Sequence, residues 1–183
     1  IDHVGGLEDL VDRSIRFIGS PDIRVQEDPV RILRAIKFAG RLGFSIEKET
    51  WAAMKRHRSE LTRCAPPRLL EEVHRILRGG GAEACFRLMW DMGVLEIMLP
   101  EVAKFLGRAP ERGELRDPGA GLWAYLRAVD RGERELLTNA VLVACVLLHP
   151  VVDACTHGGG PYGVADDTTA AGEVAREILR RLI

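Results

Sequence analysis

The chain has 183 residues, 46% of them hydrophobic and 29% charged, with a formal net charge of −1, enough apolar material to bury the core of one large or two small domains. Aromatic residues make up only 5% while Leu, Ala, Arg and Glu dominate, a composition that disfavours a β-sandwich and favours helices. No apolar run reaches the length of a membrane span, because the best stretch, Ala140 to Leu148, is stopped by His149-Pro150.

In chain order, a Gly5-Gly6 turn precedes a short helix from Leu7 to Val11. Ser14 to Ile18 alternates polar and apolar like one short strand ended by Gly19-Ser20-Pro21, and its partners are expected upstream of Ile1. Pro29 suits the first turn of a helix, where its missing N–H costs nothing. Val30, Leu33, Ile36 and Phe38 to Leu42 then supply an apolar stripe, stopped by Gly43. A second helix is predicted from Ile46–Thr50 to about Leu61, a third from Leu69 to Leu77 after Pro66-Pro67, and a fourth from Ala82 to Met92, with Val94 to Leu99 running up to Pro100.

Residues 105–121 are turn-rich and charged, the best candidate for a domain boundary. Helices from Leu122 to Val129 and Leu136 to Leu148 follow. A flexible loop at Gly158-Gly159-Gly160-Pro161 comes next, then a resumed helical pattern from Thr169 to Ile183. No internal repeat is present, which disfavours a helical repeat adaptor. The expected fold is all-α with at most one short strand near the N-terminus. The absence of an initial Met and the closing Arg181-Leu182-Ile183 inside a helical pattern suggest a chain truncated at both ends.

The charge is unevenly placed. Residues 13–78 hold 15 Lys/Arg against 8 Asp/Glu, and the remainder holds 11 against 19. A basic segment joined to an acidic one suits a polyanion held by one part of the molecule, although solvated Arg-rich helix faces would give the same count. Cys64, Cys85, Cys145 and Cys155 form no CxxC pair and have no His at ligand spacing. They read as buried, reduced thiols of a cytoplasmic protein.

The run from Arg24 to Phe44 carries the chemistry. Asp28 sits where a helix is expected to begin, and Arg31, Arg34 and Lys37 follow at three-residue intervals along one face. A carboxylate beside a guanidinium presents acceptor and donor side by side, as a Watson–Crick partner does, and the basic residues beyond could hold phosphates. The same spacing is also met by a helix cap at Asp28 with ordinary i,i+3 ion pairing.

Asp2 to Phe44 closely resembles the class II nucleotidyltransferases, the family of CCA-adding enzymes and bacterial poly(A) polymerases. Asp2, Gly6 and Asp9, with Ile15-Arg16-Phe17-Ile18-Gly19, look like the motif that hinges their catalytic head to the neck. Glu27-Asp28-x-x-Arg31 is similar to their nucleotide-recognition motif, and Arg34 matches its second Arg. Pro66-Pro67-Arg68-Leu69-Leu70-Glu71-Glu72 resembles the later neck motif whose Arg and Glu brace the recognition helix. Lys37 departs from the Arg usual at its position, keeping the charge but losing bidentate geometry.

The resemblance implies a hinge remnant over residues 1–20, a nucleotide-recognising neck over 21–104 and an RNA-binding helical body over 105–183. Asp28, Arg31 and Arg34 would bind nucleotide, supported by Glu27, Lys37, Arg68, Glu71, Asp9 and Arg16. The partners implied are ATP, with CTP as a second nucleotide, and an RNA 3′ end. Poly(A) addition is the first reading and CCA addition the second. A non-enzymatic helical RNA-binding or scaffold module is the alternative from another class. The Mg²⁺ ions of such enzymes are held by a D-x-D pair in the head, which this chain lacks, so no metal site and no catalysis by this chain alone are expected. Asp166-Asp167 in its Gly-rich loop reads as a solvated turn, and His74 as a satisfied core or surface residue.

Overall fold

The computed structural model describes residues 2–107, 119–133 and 136–157, with side chains to residue 153. The loop at 158–161, Asp166-Asp167, the Thr169–Ile183 pattern and the Cys155 side chain lie outside the described residues.

The all-α expectation holds. The elements are α1 (Gly6–Val11), β1 (Ser14–Ile15), α2 (Pro21–Glu27), α3 (Arg31–Leu42), β2 (Ser45–Ile46), α4 (Lys48–Arg56), a 3-10 turn at Arg58–Arg63, α5 (Pro66–Gly79), α6 (Ala82–Met92), α7 (Leu95–Met98), α8 (Pro100–Leu106), α9 (Ala120–Arg131) and α10 (Asn139–His157).

The strand is shorter than its alternating pattern, and its partner is inside the chain. Ser14 and Ile15 pair in parallel with Ser45 and Ile46, through Ser45 N–H to Arg13 O and Glu47 N–H to Ile15 O, both 2.9 Å. Beyond Ile15 the chain leaves this ladder, and Phe17 N–H donates instead to the buried Thr50 hydroxyl at 3.2 Å. The parallel stitch closes the chain that contains α2 and α3, so it fixes both ends of the segment that carries Asp28 and Arg31.

Two further differences have clear causes. Pro21 was expected only to end a strand, but it occupies the first turn of α2, where proline is pre-organised for a helix. At the other end, α10 runs through His149-Pro150 to His157. An interior proline costs about 3 kcal/mol, offset here by the burial of Leu147 and Val151 on either side of it.

The core is continuous across the boundary expected at 105–121. Ile32, Leu33 and Ile36 of α3, Phe86 and Met89 of α6, Val102 and Phe105 of α8, Leu122 and Leu126 of α9, and Leu142 and Val146 of α10 belong to one apolar cluster. Two long-range contacts tie its helices at their ends. Asp130 of α9 accepts from Ala82 N–H at 2.7 Å and Glu83 N–H at 3.1 Å, capping the start of α6. Arg87 of α6 stacks over Trp123 of α9 with its guanidinium carbon 4.3 Å from the ring centroid.

Helices α3 and α6 cross at backbone contact. A methyl group on Gly40 would lie 2.9 Å from the backbone nitrogen of Cys85, and one on Gly81 would lie 2.8 Å from the carbonyl carbon of Gly40. Only Ala39 of the expected Phe38–Leu42 stripe enters the core. Phe38 and Leu42 are about half exposed.

Gly40→Ala is therefore expected to lower stability by about 1–3 kcal/mol through overpacking. Gly79→Ala, with nothing within 4 Å of the new methyl, should stay within about 0.5 kcal/mol. Equal thermal midpoints for the two variants would refute the close crossing.

Candidate nucleotide-recognition site

The site grows from the junction of α2 and α3. Asp28 closes α2 in an extended conformation, φ −148° and ψ 92°, and the residue before α3 is Val30. Asp28 thus precedes the helix instead of capping it. Its Oδ2 accepts from Arg68 Nη2 of α5 at 3.0 Å and lies 3.7 Å from Arg34 Nη1. Its Oδ1 is buried without a hydrogen-bond partner, and so is Nε of Arg31. Neither the cap nor the Asp28–Arg31 ion pair of the ordinary helix reading is present among the described residues. What the junction holds is one unpaired acceptor and one unpaired donor, each carrying a desolvation cost of about 1–3 kcal/mol.

Helix α5 braces this junction from the side. Glu72, only 3% exposed, accepts from Lys37 Nζ at 2.9 Å and from Arg75 Nη1 at 3.2 Å, and Arg34 Nε lies 3.6 Å away. Burial pushes its carboxyl pKa up, but the Lys37 hydrogen bond and the charges of Lys37, Arg75 and Arg34 outweigh that and hold it below the ordinary value. Glu71, expected from the sequence as the bracing acid, is exposed and pairs with Arg75 on its own helix at 3.0 Å. The carboxylate that reaches α3 is its neighbour Glu72, which the sequence reading missed. A signal was available: Glu72 falls inside the stripe of Leu69, Val73 and Ile76, and Glu71 falls outside it.

Lys37 is committed to this carboxylate rather than to solvent. Glu27 is exposed and pairs with Arg24 at 3.0 Å, away from Asp28. Asp9 and Arg16 do meet, at 3.1 Å, and Arg16 also donates to Val4 O. They line a cleft of about 690 Å³ with Phe17, Glu47 and Pro21, distinct from the Asp28–Arg31 junction. Asp2 accepts from Leu7 and Val4 N–H at the start of α1, which lowers its pKa. Asp22 of α2 accepts from His57 at 2.7 Å and from Arg56, joining α2 to the end of α4.

Cys85 is buried, and Cys64 and Cys145 are partly buried. Burial raises all three thiols, Cys85 to about 12. His74 is half-buried, 3.4 Å from the Asn139 amide. No three His, Cys, Asp or Glu side chains converge among the described residues, so these residues do not fit the Mg²⁺ ions that the resemblance implies. None of the described helices is long and apolar enough to cross a membrane.

Residues 43–106 match the family described as "Probable RNA and SrmB- binding site of polymerase A". The chain is 38% identical to Poly(A) polymerase I of Escherichia coli O6:H1 over 57% of its own length and 22% of that protein. It is 38% identical to the Multifunctional CCA protein of Tolumonas auensis over 99% of its length and 44% of that protein. The chain thus spans less than half of these relatives. A solved tRNA-processing enzyme complex shares its fold with a TM-score of 0.61 at 24% identity, over 100% of this chain and 43% of that one. A tRNA nucleotidyltransferase solved with a primer tRNA and an incoming ATP analogue does so at 0.54 and 23% identity, over 100% and 59%. The chain is thus similar to a portion of the poly(A) polymerases and CCA-adding proteins.

Because the folded pKa of Glu72 is depressed, its contribution is fully present above the ordinary carboxylate range near 4.3 and is lost as pH falls through the lower folded value. Glu72→Ala should cost about 3 kcal/mol at pH 7, since Lys37 is left partly buried and unpaired. Urea unfolding of Glu72→Gln at pH 7 and pH 3 should show a deficit against the unsubstituted chain that shrinks at the lower pH. A deficit of the same size at both values would contradict the ion-pair account.

Proposed function

We propose that this chain is the base-selecting neck and RNA-holding body of an enzyme that adds nucleotides to an RNA 3′ end, ATP being its preferred substrate. The carrying observation is the pair of buried, partnerless atoms, Asp28 Oδ1 and Arg31 Nε. Adenine and cytosine each place an exocyclic amine, a donor, beside a ring nitrogen acceptor. Guanine and uracil place a carbonyl beside a ring N–H, the reverse order. An acceptor from Asp28 with a donor from Arg31 matches the first two bases and leaves unpaired groups against the others. Arg68 holds the second Asp28 oxygen, and Glu72 fixes α3 through Lys37 and Arg34, so the acceptor is oriented before a base arrives. Residues 1–20 then serve as the hinge, 21–104 as the neck and 105–183 as the body.

The reaction is attack of the RNA 3′-hydroxyl on the α-phosphate of the nucleotide with release of pyrophosphate. Divalent ions would supply charge stabilisation for it from residues outside this chain. Poly(A) addition is the first assignment, because the apolar α10 with its Leu148-His149-Pro150 sequence resembles the body of poly(A) polymerases more than that of CCA-adding enzymes. CCA addition is favoured by one observation, the alignment of a CCA protein along nearly the whole chain. Incorporation of ATP alone, against CTP followed by ATP, separates them.

In an enzyme that joins this chain to its catalytic domain, Arg31→Ala should lower kcat/KM for ATP roughly ten- to hundredfold, the loss of a desolvated polar contact. Asp28→Ala should relax selectivity among ATP, CTP and GTP while moving the thermal midpoint little, since the Arg68 pair it breaks is half exposed. A folded Asp28→Ala enzyme with unaltered selectivity would rule out the template role.

The chain by itself should add no nucleotide to an RNA primer with ATP and Mg²⁺. Measurable primer extension by the purified chain would place the catalytic carboxylates within it.

A further inference from the structure

The outer face of α3 carries an arrangement of which the proposed base selection uses only Arg34. Arg34, Phe38 and Arg41 are separated by four and three residues, which puts them on one side of the helix within about 10 Å along its axis. Phe38 was expected in the core, yet 48% of it is exposed, and its ring centroid lies 5.6 Å from Lys37 Nζ. Arg41 is exposed and pairs with no carboxylate among the described residues. Arg34 is 44% exposed, and both of its carboxylate contacts, at 3.7 and 3.6 Å, are longer than hydrogen bonds. The result is an exposed aromatic ring between two cations with guanidinium groups to spare. Leu42, half exposed one turn beyond Phe38, extends the apolar step.

A protein partner for an apolar step would be expected to bring carboxylates for the arginines. A single nucleic-acid strand meets both requirements with one repeating unit, a flat base for the ring and a phosphate for each cation. We propose that Phe38 is a stacking position for a base of the RNA strand, with Arg34 and Arg41 on the flanking phosphates. This deepens the reading of the chain as part of an RNA-extending enzyme, and rests on it. It also places an RNA contact on α3, N-terminal to residues 43–106, which match the family's RNA-binding region. The site lies on the same helix as Arg31, so the stacked base and the selected nucleotide are held by one rigid element.

Stacking and phosphate contact respond differently to salt, and this makes the assignment testable on the chain as it stands, without nucleotide. Binding of a short oligoadenylate RNA is measured across a range of salt for the unsubstituted chain, Phe38→Ala, Phe38→Trp and Arg41→Gln. Phe38→Ala should weaken binding on the order of tenfold with the slope of log affinity against log salt unchanged. Arg41→Gln should weaken binding and reduce that slope by about 0.7, one phosphate of a single strand. Phe38→Trp should retain affinity, and RNA should quench the fluorescence of the added tryptophan. If Phe38→Ala binds as well as the unsubstituted chain, the ring is not a stacking position and the face serves phosphates or a protein partner instead. A loss of slope in Phe38→Ala would equally overturn the proposal, because the ring would then act only by placing its charged neighbours. The outcome is independent of base selection at Asp28 and Arg31, which is read from nucleotide incorporation.

Discussion

Glu72 is the point on which the recognition segment depends. A carboxylate 3% exposed survives only with cations around it, and the cations come from two helices: Lys37 and Arg34 from α3, Arg75 from its own. Four residues earlier on α5, Arg68 reaches Asp28. One turn of α5 therefore grips the recognition segment at two places, the junction before α3 and the middle of α3. This grip decides which oxygen of Asp28 is occupied, which stays open, and how much freedom Arg34 retains.

The charge surplus of residues 13–78 takes on a different meaning once the pairs are known. Lys37, Arg56, Arg63, Arg68 and Arg75 are each matched to a carboxylate. The field of this segment remains positive, but the cations free to meet phosphates are fewer than the count suggests. Arg41 on α3 is one of them. On the proposed reading, selectivity and affinity are separate problems, the first resting on two buried unpaired atoms and the second on a few exposed ones.

The run from Asp28 to Arg34 stood out by its resemblance to the family motif, while the helical class and the boundaries of α6 were legible from periodicity and punctuation, because long apolar stripes and the glycines at 43 and 93 speak for themselves. The detail at Asp28 was not. With Pro21 read as a strand terminator, the seven residues of α2 disappeared and a cap at Asp28 stood as an alternative that its extended conformation does not support. The choice between Glu71 and Glu72 turned on helical phase, which favoured the residue inside the apolar stripe. Phe38 was misassigned for the opposite reason. Its neighbour Gly40 marks where α3 meets α6, and the backbone contact there leaves Phe38, two residues away, facing outward. Pro150 escaped because tertiary packing overrode a local rule.

The cap that Asp130 places on α6 has a further consequence for how the chain acquires its structure. The first two amide groups of α6 are satisfied by a residue 48 and 47 positions later, and the Arg87 side chain lies on Trp123 of the same distant helix. A growing polypeptide that has reached only Leu106 holds every residue of the 43–106 region but neither the cap nor the indole. It also lacks Leu122, Leu126 and Val129 from the shared apolar cluster. That region is thus a unit of sequence kinship whose last contacts close only after α9 has been synthesised.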